Sequence, residues 1–340
     1  MPPQVSVSVI ANNFNGERFL PRLLSSLRAQ RGVTLEIIVV DRHSTDKSLE
    51  ILSQQPDITV VHVPPELGLA AGYAAGVPKA ACGNLFFCNE DMWFDPDCLY
   101  SLEKQISRER RVGIADPWEW DYHGAKVIHM GTQLVHKWDL GSVLPTWRFE
   151  QSSRIAGGEL TAMACAGAMM IDRSVYEELG GWDTSFFLDF EDVDLCIRAW
   201  QRGWYCVTVP EAKVFHAVGM SNANVLSAAR TYVGRKRYAS GSSNCIIVAV
   251  KYFRWRSVLL AVLARIDRFL RNSIKLRFEL ALLDLESLWL SIKRLPHALQ
   301  FRRSNRVWSC NRPGEDFFLD PAFQARTTDI GEEVGAKHGR

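Results

Sequence analysis

The chain has 340 residues, 47% of them hydrophobic and 23% charged, the balance of a globular protein with one large domain or two smaller ones. Forty Lys and Arg against thirty-eight Asp and Glu leave a formal charge of +2, which excludes nucleic acid as a bulk partner. The eight cysteines form no C-x-x-C pair, which speaks against a zinc knuckle or a disulfide framework and for a reducing cytosol.

The first residues, MPPQVSVSVIANN, have no basic and no apolar region of a secretory signal, and no apolar stretch reaches the ~18 residues a spanning helix needs. The expectation is a protein that is soluble or rests on a membrane without crossing it.

Residues 5–10, 35–40, 58–63 and 84–88 are short, rich in β-branched or apolar residues, and separated by helix-like segments. That alternation predicts βαβ units and a mostly parallel sheet. Phe19, Leu20, Leu23, Leu24 and Leu27 recur at helical spacing, and STDKSLEILSQQ reads as a second helix capped by Ser44. Residues 112–160 read as hairpins and loops beside a site. A strand follows over 161–171, then a helix from Arg173 closed by Gly180-Gly181. A helix over 191–203, a strand WYCVTVP and a short extended run KVFH complete this part.

Beyond Gly219 the pattern is helical to about residue 300, and the last forty residues read as an extended tail. From Lys251 to Arg277 there are eight Lys or Arg and one acidic residue. Read as one helix, this stretch gathers Trp255, Leu259, Ile266 and Leu270 on one arc, with Arg254, Arg265, Arg268 and Arg271 opposite. It could lie in an anionic membrane interface or pack on the rest of the protein.

Polar clusters fall where three predicted strands end: Asn12-Asn13, Asp41, and Asn89-Glu90-Asp91. Ligands of open α/β sheets bind at carboxyl ends of strands, so these would line one crevice. The sequence has neither a G-x-x-x-x-G-K-[ST] loop nor a G-x-G-x-x-G after the first strand. Diphosphate charge would therefore be met by Mg²⁺ or Mn²⁺ held on a carboxylate, with Asp91 as the obvious ligand. A second acidic cluster, Asp189, Glu191, Asp192 and Asp194, crowds one helix start beside Phe186, Phe187, Leu188 and Phe190. One or two carboxylates satisfy a helix dipole; four at this spacing repel one another, and partial burial would raise a pKa toward the range of a general base. His216, after a strand, stands alone.

In their order, SVIANNFNGERFLPRLLSSLRAQ, EIIVVDRHSTDKS, LGLAAGYAAGV, FFCNEDM, CAGAMMIDRSVYEELGGWDTSFFLDFEDVDLCIRAWQRGW and VPEAKVFHAVGMS resemble the family 2 glycosyltransferases, inverting enzymes of the GT-A fold, and most closely their rhamnosyltransferase-like members. The resemblance spans residues 5–221 and implies a Rossmann-like nucleotide-diphospho-sugar transferase domain over 1–221, with a donor half (1–110) and an acceptor half (111–221). A helical basic extension (222–305) and the tail (306–340) would follow.

Residue by residue, the resemblance implies that Asn12, Asn13, Asp41, Ser44, Gly72, Asn89 and Glu90 receive the sugar nucleotide, and that Asp91 and His216 hold the divalent metal. Asp192 would be the general base, assisted by Glu191, with Trp182 and Asp183 on the acceptor side. It also implies a glycan or lipid-linked acceptor, a role in cell-surface polysaccharide or glycolipid assembly, and a cytoplasmic location, peripheral at the inner face of the membrane. Two departures stand out: Asn89 replaces the first carboxylate of the family's D-x-D, and Ala74 replaces an Asn of the glycine-rich stretch. They keep a competing reading open, a catalytically silent homologue that binds a sugar nucleotide or partner proteins.

Overall fold

The computed structural model describes residues 5–64, 66–138, 145–151, 160–217, 232–305 and 314–318. The expected boundary at 221/222 and most of the tail lie outside them.

The first third is built as the alternation predicts. Strands β1 (Val5–Asn13), β2 (Val33–Asp41), β3 (Ile58–His62) and β4 (Asn84–Asn89) pair in parallel in the order β3-β2-β1-β4. Helices α1 (Leu20–Arg28), α2 (Ser48–Ser53) and α3 (Leu69–Gly76) make the crossovers. Helix α1 buries the periodic face read from the sequence, Leu20, Leu23, Leu24 and Leu27. Phe86 and Phe87 in β4 are fully buried on the two faces of the sheet, each stabilising it by roughly 1.5–3 kcal/mol.

The sheet continues through strands of the second third. After β5 (Met92–Phe94) and α4 (Cys98–Glu103), β6 (Val112–Asp121) pairs at its end with β7 (Val127–His129). Strands β8 (Thr132–Trp138) and β9 (Pro145–Gln151) form a separate hairpin. Strand β10 (Ala168–Asp172) inserts antiparallel between β4 and β6, so the expected donor and acceptor halves share one sheet.

Three local expectations change. Helix α2 begins at Ser48 and is not capped by Ser44, because the Ser44 oxygen already accepts from the Asn15 N–H (2.9 Å) and Asn13 Nδ2 (3.0 Å) while its proton goes to Asp41. Only 168–172 of the expected strand 161–171 is strand; the backbone N–H groups of Cys165 and Ala166 turn to serve carboxylates. The expected strand WYCVTVP and the KVFH run are one strand, β11 (Tyr205–His216), parallel to β6 and shifted in register between Val209 and Lys213. Pro210 lies in that shift, where its missing N–H leaves no ladder bond to lose.

After α5 (Arg173–Glu178) and α6 (Glu191–Gln201), three long helices follow: α7 (Tyr232–Tyr252), α8 (Trp255–Ile274) and α9 (Phe278–Ser304). The basic stretch 251–277 is therefore not one helix. It breaks at Phe253-Arg254, with Tyr252 buried at the end of α7 and Arg268 turned inward onto Asp284. Within the expected tail, a short helix α10 (Gly314–Phe318) docks buried Phe318 against Trp200.

Candidate active site

The crossover from β1 leads to β2 on one side, and the chain returns to β4 on the other, so the sheet has its topological switch point at β1/β4. Strand register aligns the polar ends there: Asn13 pairs with Asp41, and Asn12 with Asn89. Asp41 is fully buried and already bonded. Its Oδ2 accepts from Asn13 Nδ2 (2.7 Å) and Ser44 Oγ (2.6 Å), and its Oδ1 from the Ser44 N–H (3.0 Å). Asn12 Nδ2 donates to the Leu69 carbonyl (3.1 Å) at the start of α3, while its Oδ1 has no partner. A Cβ at Gly72 would fall 2.1 Å from that oxygen, so only glycine lets α3 sit this close to β1.

Asn89 has a partner of its own. The Tyr73 hydroxyl lies 2.9 Å from Asn89 Oδ1 and 2.7 Å from the Ala166 carbonyl, bridging the end of β4 to the 163–167 loop. Beside Asn89, burial and then the neighbouring Asp91 charge push Glu90 up to about 7.

Antiparallel pairing of β5 with the end of β11 brings His216 opposite Met92, and the Ala217 N–H bonds the Asp91 carbonyl (3.0 Å). His216 Nε2 thereby stands 3.3 Å from Asp91 Oδ1, an oxygen that makes no hydrogen bond. On the other side of the ring, Nδ1 is 3.2 Å from Glu119 Oε2. A carboxylate on the far ring nitrogen fixes the orientation and raises the basicity of a metal-ligating histidine. Burial disfavours charge on His216, yet Asp91 and Glu119 outweigh it and raise the ring to about 10. Among the described residues no group of three or more His, Cys, Asp or Glu closes into a metal cage. Asp91 Oδ1 and His216 Nε2, an ion pair at 3.3 Å, fit an Mg²⁺ or Mn²⁺ that would displace the ring proton and take its remaining ligands from phosphate oxygens. A cleft of about 410 Å³ opens beside His216, lined by Tyr122, His123 and Lys126 among others.

The second acidic cluster sorts by environment. Glu191 is buried with Oε2 unpartnered; burial and then the Asp192 charge push its pKa well above the ordinary carboxylate range. Asp192 is partly exposed, accepts from the Ala166 N–H (3.1 Å) and the Val193 N–H (2.7 Å), and is raised to about 6, chiefly by burial. Glu191 is thus raised well above the ordinary carboxylate range and Asp192 only to about 6, which sets an assisting group apart from a base.

The loop that holds Asp192 is itself anchored. Asp116 Oδ1 accepts from the Cys165 N–H (3.0 Å), and Asp116 Oδ2 lies 2.9 Å from His129 Nε2. Burial works against the His129 charge, but Asp116 and then Glu119 and Asp192 raise it to about 9, so His129 is cationic at neutral pH. That cation lowers the pKa of Asp192, against the raising charge of Asp189. His129→Gln is expected to move the acidic limb of the kcat/KM pH profile upward, read by steady-state transfer between pH 5 and 8.

Helix α7 holds the entrance to α6. Asp189 and Phe190 both adopt positive φ (66° and 72°), a pair of strained non-glycine residues directly before Glu191. Asn244 Nδ2 donates to the carbonyls of Leu188 (3.0 Å) and Asp189 (2.7 Å), and Arg237 forks onto the Asp189 carboxylate. From the end of α7, Lys251 Nζ reaches Asp183 and Asp194, both at 2.6 Å, and Tyr252 Oη donates to Asp194 at the same distance. Asp183, expected on the acceptor side, is thus committed to Lys251. Trp182 is buried, stacked on Tyr73 (5.5 Å between centroids) and edge-on to Phe87.

Residues 8–180, just over half of the chain, match the family described as Glycosyl transferase family 2. The chain belongs to that family. Over 240 residues it is 26% identical to the N-acetylglucosaminyl-diphospho-decaprenol L-rhamnosyltransferase of Mycobacterium tuberculosis, covering 61% of this chain and 75% of that protein. A shorter match, 32% identical over 114 residues, covers 32% of the chain and 35% of an uncharacterized glycosyltransferase of Nostoc sp.. Among solved structures, GalNAc-T7 with UDP, GalNAc and Mn²⁺ superposes with a TM-score of 0.66 at 16% identity, covering 96% of this chain and 58% of that one. The fold of this family 2 transferase is accordingly GT-A, and it is a glycosyl-transferring enzyme.

Of the thirteen residues named from the sequence, the sheet brings Asn12, Asn13, Asp41, Ser44, Gly72, Asn89, Glu90 and Asp91 to one edge, with His216 delivered by β11. Glu119, Asp116, His129, Tyr73 and Asn244 went unread. Each supports another side chain or a loop and lies far from it in the chain. Only the alternation of acidic and aromatic residues in DPWEWD hinted at Asp116 and Glu119.

Proposed function

We propose that this family 2 enzyme transfers a deoxyhexose or hexose from a nucleoside diphosphate sugar to a hydroxyl of a glycan or lipid-linked glycan, with inversion, in the assembly of a cell-surface polysaccharide or glycolipid. The observation that carries the reading is the separated pair at the start of α6. Partly exposed Asp192 is ionised near neutrality, and the Ala166–Tyr73 bridge ties its loop to the strand end that bears Asp91.

Asp192 takes the proton of the acceptor hydroxyl as that oxygen attacks the anomeric carbon, and the diphosphate leaves from the opposite face in one displacement. Asp91 and, once it gives up its ring proton, His216 would hold a divalent metal, which when bound would offset charge developing on the leaving diphosphate. Asn13, Asp41 and Ser44 form a preset bonded edge against which the base and ribose settle, and Gly72 keeps α3 close enough to frame it. Asn89 costs the site one charge but lies 2.9 Å from the Tyr73 hydroxyl, which gives the amide a structural use. The mycobacterial relative's decaprenol-linked acceptor supports a lipid-linked acceptor here, and with it a peripheral place at the inner face of the membrane.

The test is thermal stabilisation by a panel of nucleoside diphosphates and their sugars, with and without Mn²⁺. A cognate diphosphate at about 100 times its Kd should stabilise by roughly 2.7 kcal/mol. Asp91→Asn should abolish the Mn²⁺-dependent part of that stabilisation. An equal response of wild type and variant to Mn²⁺ would remove Asp91 from the metal site.

A further inference from the structure

Thirteen large apolar side chains among the described residues are strongly exposed, and eleven of them fall between Trp255 and Ile292. On α8 they are Trp255, Leu259, Ile266, Leu270 and Ile274, repeating at helical spacing along one side. On α9, Phe278, Leu282, Leu285, Trp289 and Ile292 do the same. The opposite sides are inward: Ala261 and Ala264 of α8 and Leu280, Leu283 and Ser287 of α9 are buried. The two stripes meet at the turn between the helices, where Ile274, Leu276 and Phe278 are 79%, 72% and 62% exposed. Clusters of this size on a soluble chain mark interaction surfaces.

We infer that the α8–α9 hairpin docks on an anionic lipid bilayer, tip first, with the two apolar stripes buried at the headgroup level. Charge selects this occupant. Lys275 and Arg277 bracket Leu276 at the tip, and exposed Arg256 and Lys293 flank the stripes, against exposed Glu279 and Glu286. Four cations against two anions favour a negatively charged lipid surface and oppose a second copy bearing the same tip. Lys293 lies 3.3 Å over the Trp289 ring, so an apolar face and its cation travel together, as suits an interface between hydrocarbon and water. No helix among the described residues is long and apolar enough to cross a membrane, so the hairpin would lie in the interface. The surface is larger than the stretch 251–277 suggested, because half of it comes from α9.

The inference rests on the proposed lipid-linked acceptor for its purpose, but its test needs neither donor nor acceptor. The full chain should cosediment with phosphatidylglycerol-containing vesicles, weakly or not at all with phosphatidylcholine alone, and release as salt is raised. The exposed double variant Lys275→Glu/Arg277→Glu should weaken vesicle binding at least about tenfold while keeping the wild-type unfolding midpoint. Leu276→Asp/Phe278→Asp should do the same with less salt dependence. Absence of binding to anionic vesicles, binding unaffected by both double variants, or a stable dimer dissociated by Leu282→Asp/Trp289→Asp would overturn it. Vesicle binding without transfer to any lipid-linked acceptor would sink the proposed acceptor and leave the docking surface standing.

Discussion

Asp192→Asn is expected to lower kcat by roughly two to four orders of magnitude, the usual contribution of a positioned general base, while nucleoside diphosphate binding stays within a few-fold of wild type. The amide keeps the shape of the side chain, but the carboxylate takes the Ala166 N–H on Oδ2 and the Val193 N–H on Oδ1, so the single amide oxygen keeps one of the two. What disappears is the proton acceptor. In the wild-type enzyme kcat/KM should fall below about pH 6, where Asp192 takes up a proton, and the variant should lose that limb. Glu191 is a poor substitute, because its side chain is buried, and burial and then the Asp192 charge raise it well above the ordinary carboxylate range. Rates within tenfold of wild type for Asp192→Asn would move the base elsewhere.

Lys251→Met is expected to destabilise the fold by about 3 kcal/mol, at the lower end of the ~3–5 kcal/mol for removing one partner of a buried ion pair. Lys251 is itself buried and pairs with two carboxylates, Asp183 and Asp194. The lower end applies because Asp194 keeps Arg198 at 2.7 Å and Tyr252, which leaves Asp183 as the main unpaired charge. The double variant Lys251→Met/Asp183→Asn should therefore recover part of the loss, read as the urea midpoint at unchanged m. By contrast, Arg28→Ala, breaking a half-exposed pair with Asp57, should leave the midpoint essentially where it is. The sign of the pH dependence follows from the same network. Despite burial, Lys251 holds Asp183 and Asp194 below the ordinary carboxylate range. Their stabilisation is full above pH ~4 and is lost as pH falls from there toward the folded values. Lys251→Met should flatten that acid sensitivity.

These expectations assign the helical extension a part in catalysis. Two consecutive left-handed residues, Asp189 and Phe190, turn the chain into α6 and aim Asp192, and strain of this kind costs on the order of 1–3 kcal/mol per residue. Asn244 and Arg237 of α7 bond that turn from a helix far along the chain. The extension therefore reads as a clamp on the base, with the opposite side of its last two helices free to meet lipid.

Local pattern was enough to read the βαβ order, the polar strand ends and the crowded acidic helix start, because each depends on residues close in the chain: apolar period, a strand's last residue, carboxylates three or four apart. The same local reading singled out Asp91 and the acidic cluster around Asp192, whereas the roles proposed for Asp192 and His216 rest on the resemblance to family 2. It misassigned Ser44 as a helix cap and joined 251–277 into one helix, because the Asn13 and Asn15 donors that occupy the Ser44 oxygen and the partner of Tyr252 are not local. Only tertiary structure decided that β10 enters antiparallel beside β4, that Asp91 just before β5 meets His216, and that Glu119, Asp116 and His129 stand behind them. It also decided that Glu191 is buried and Asp192 partly exposed, since desolvation, unlike residue type, depends on what the rest of the chain packs around a group.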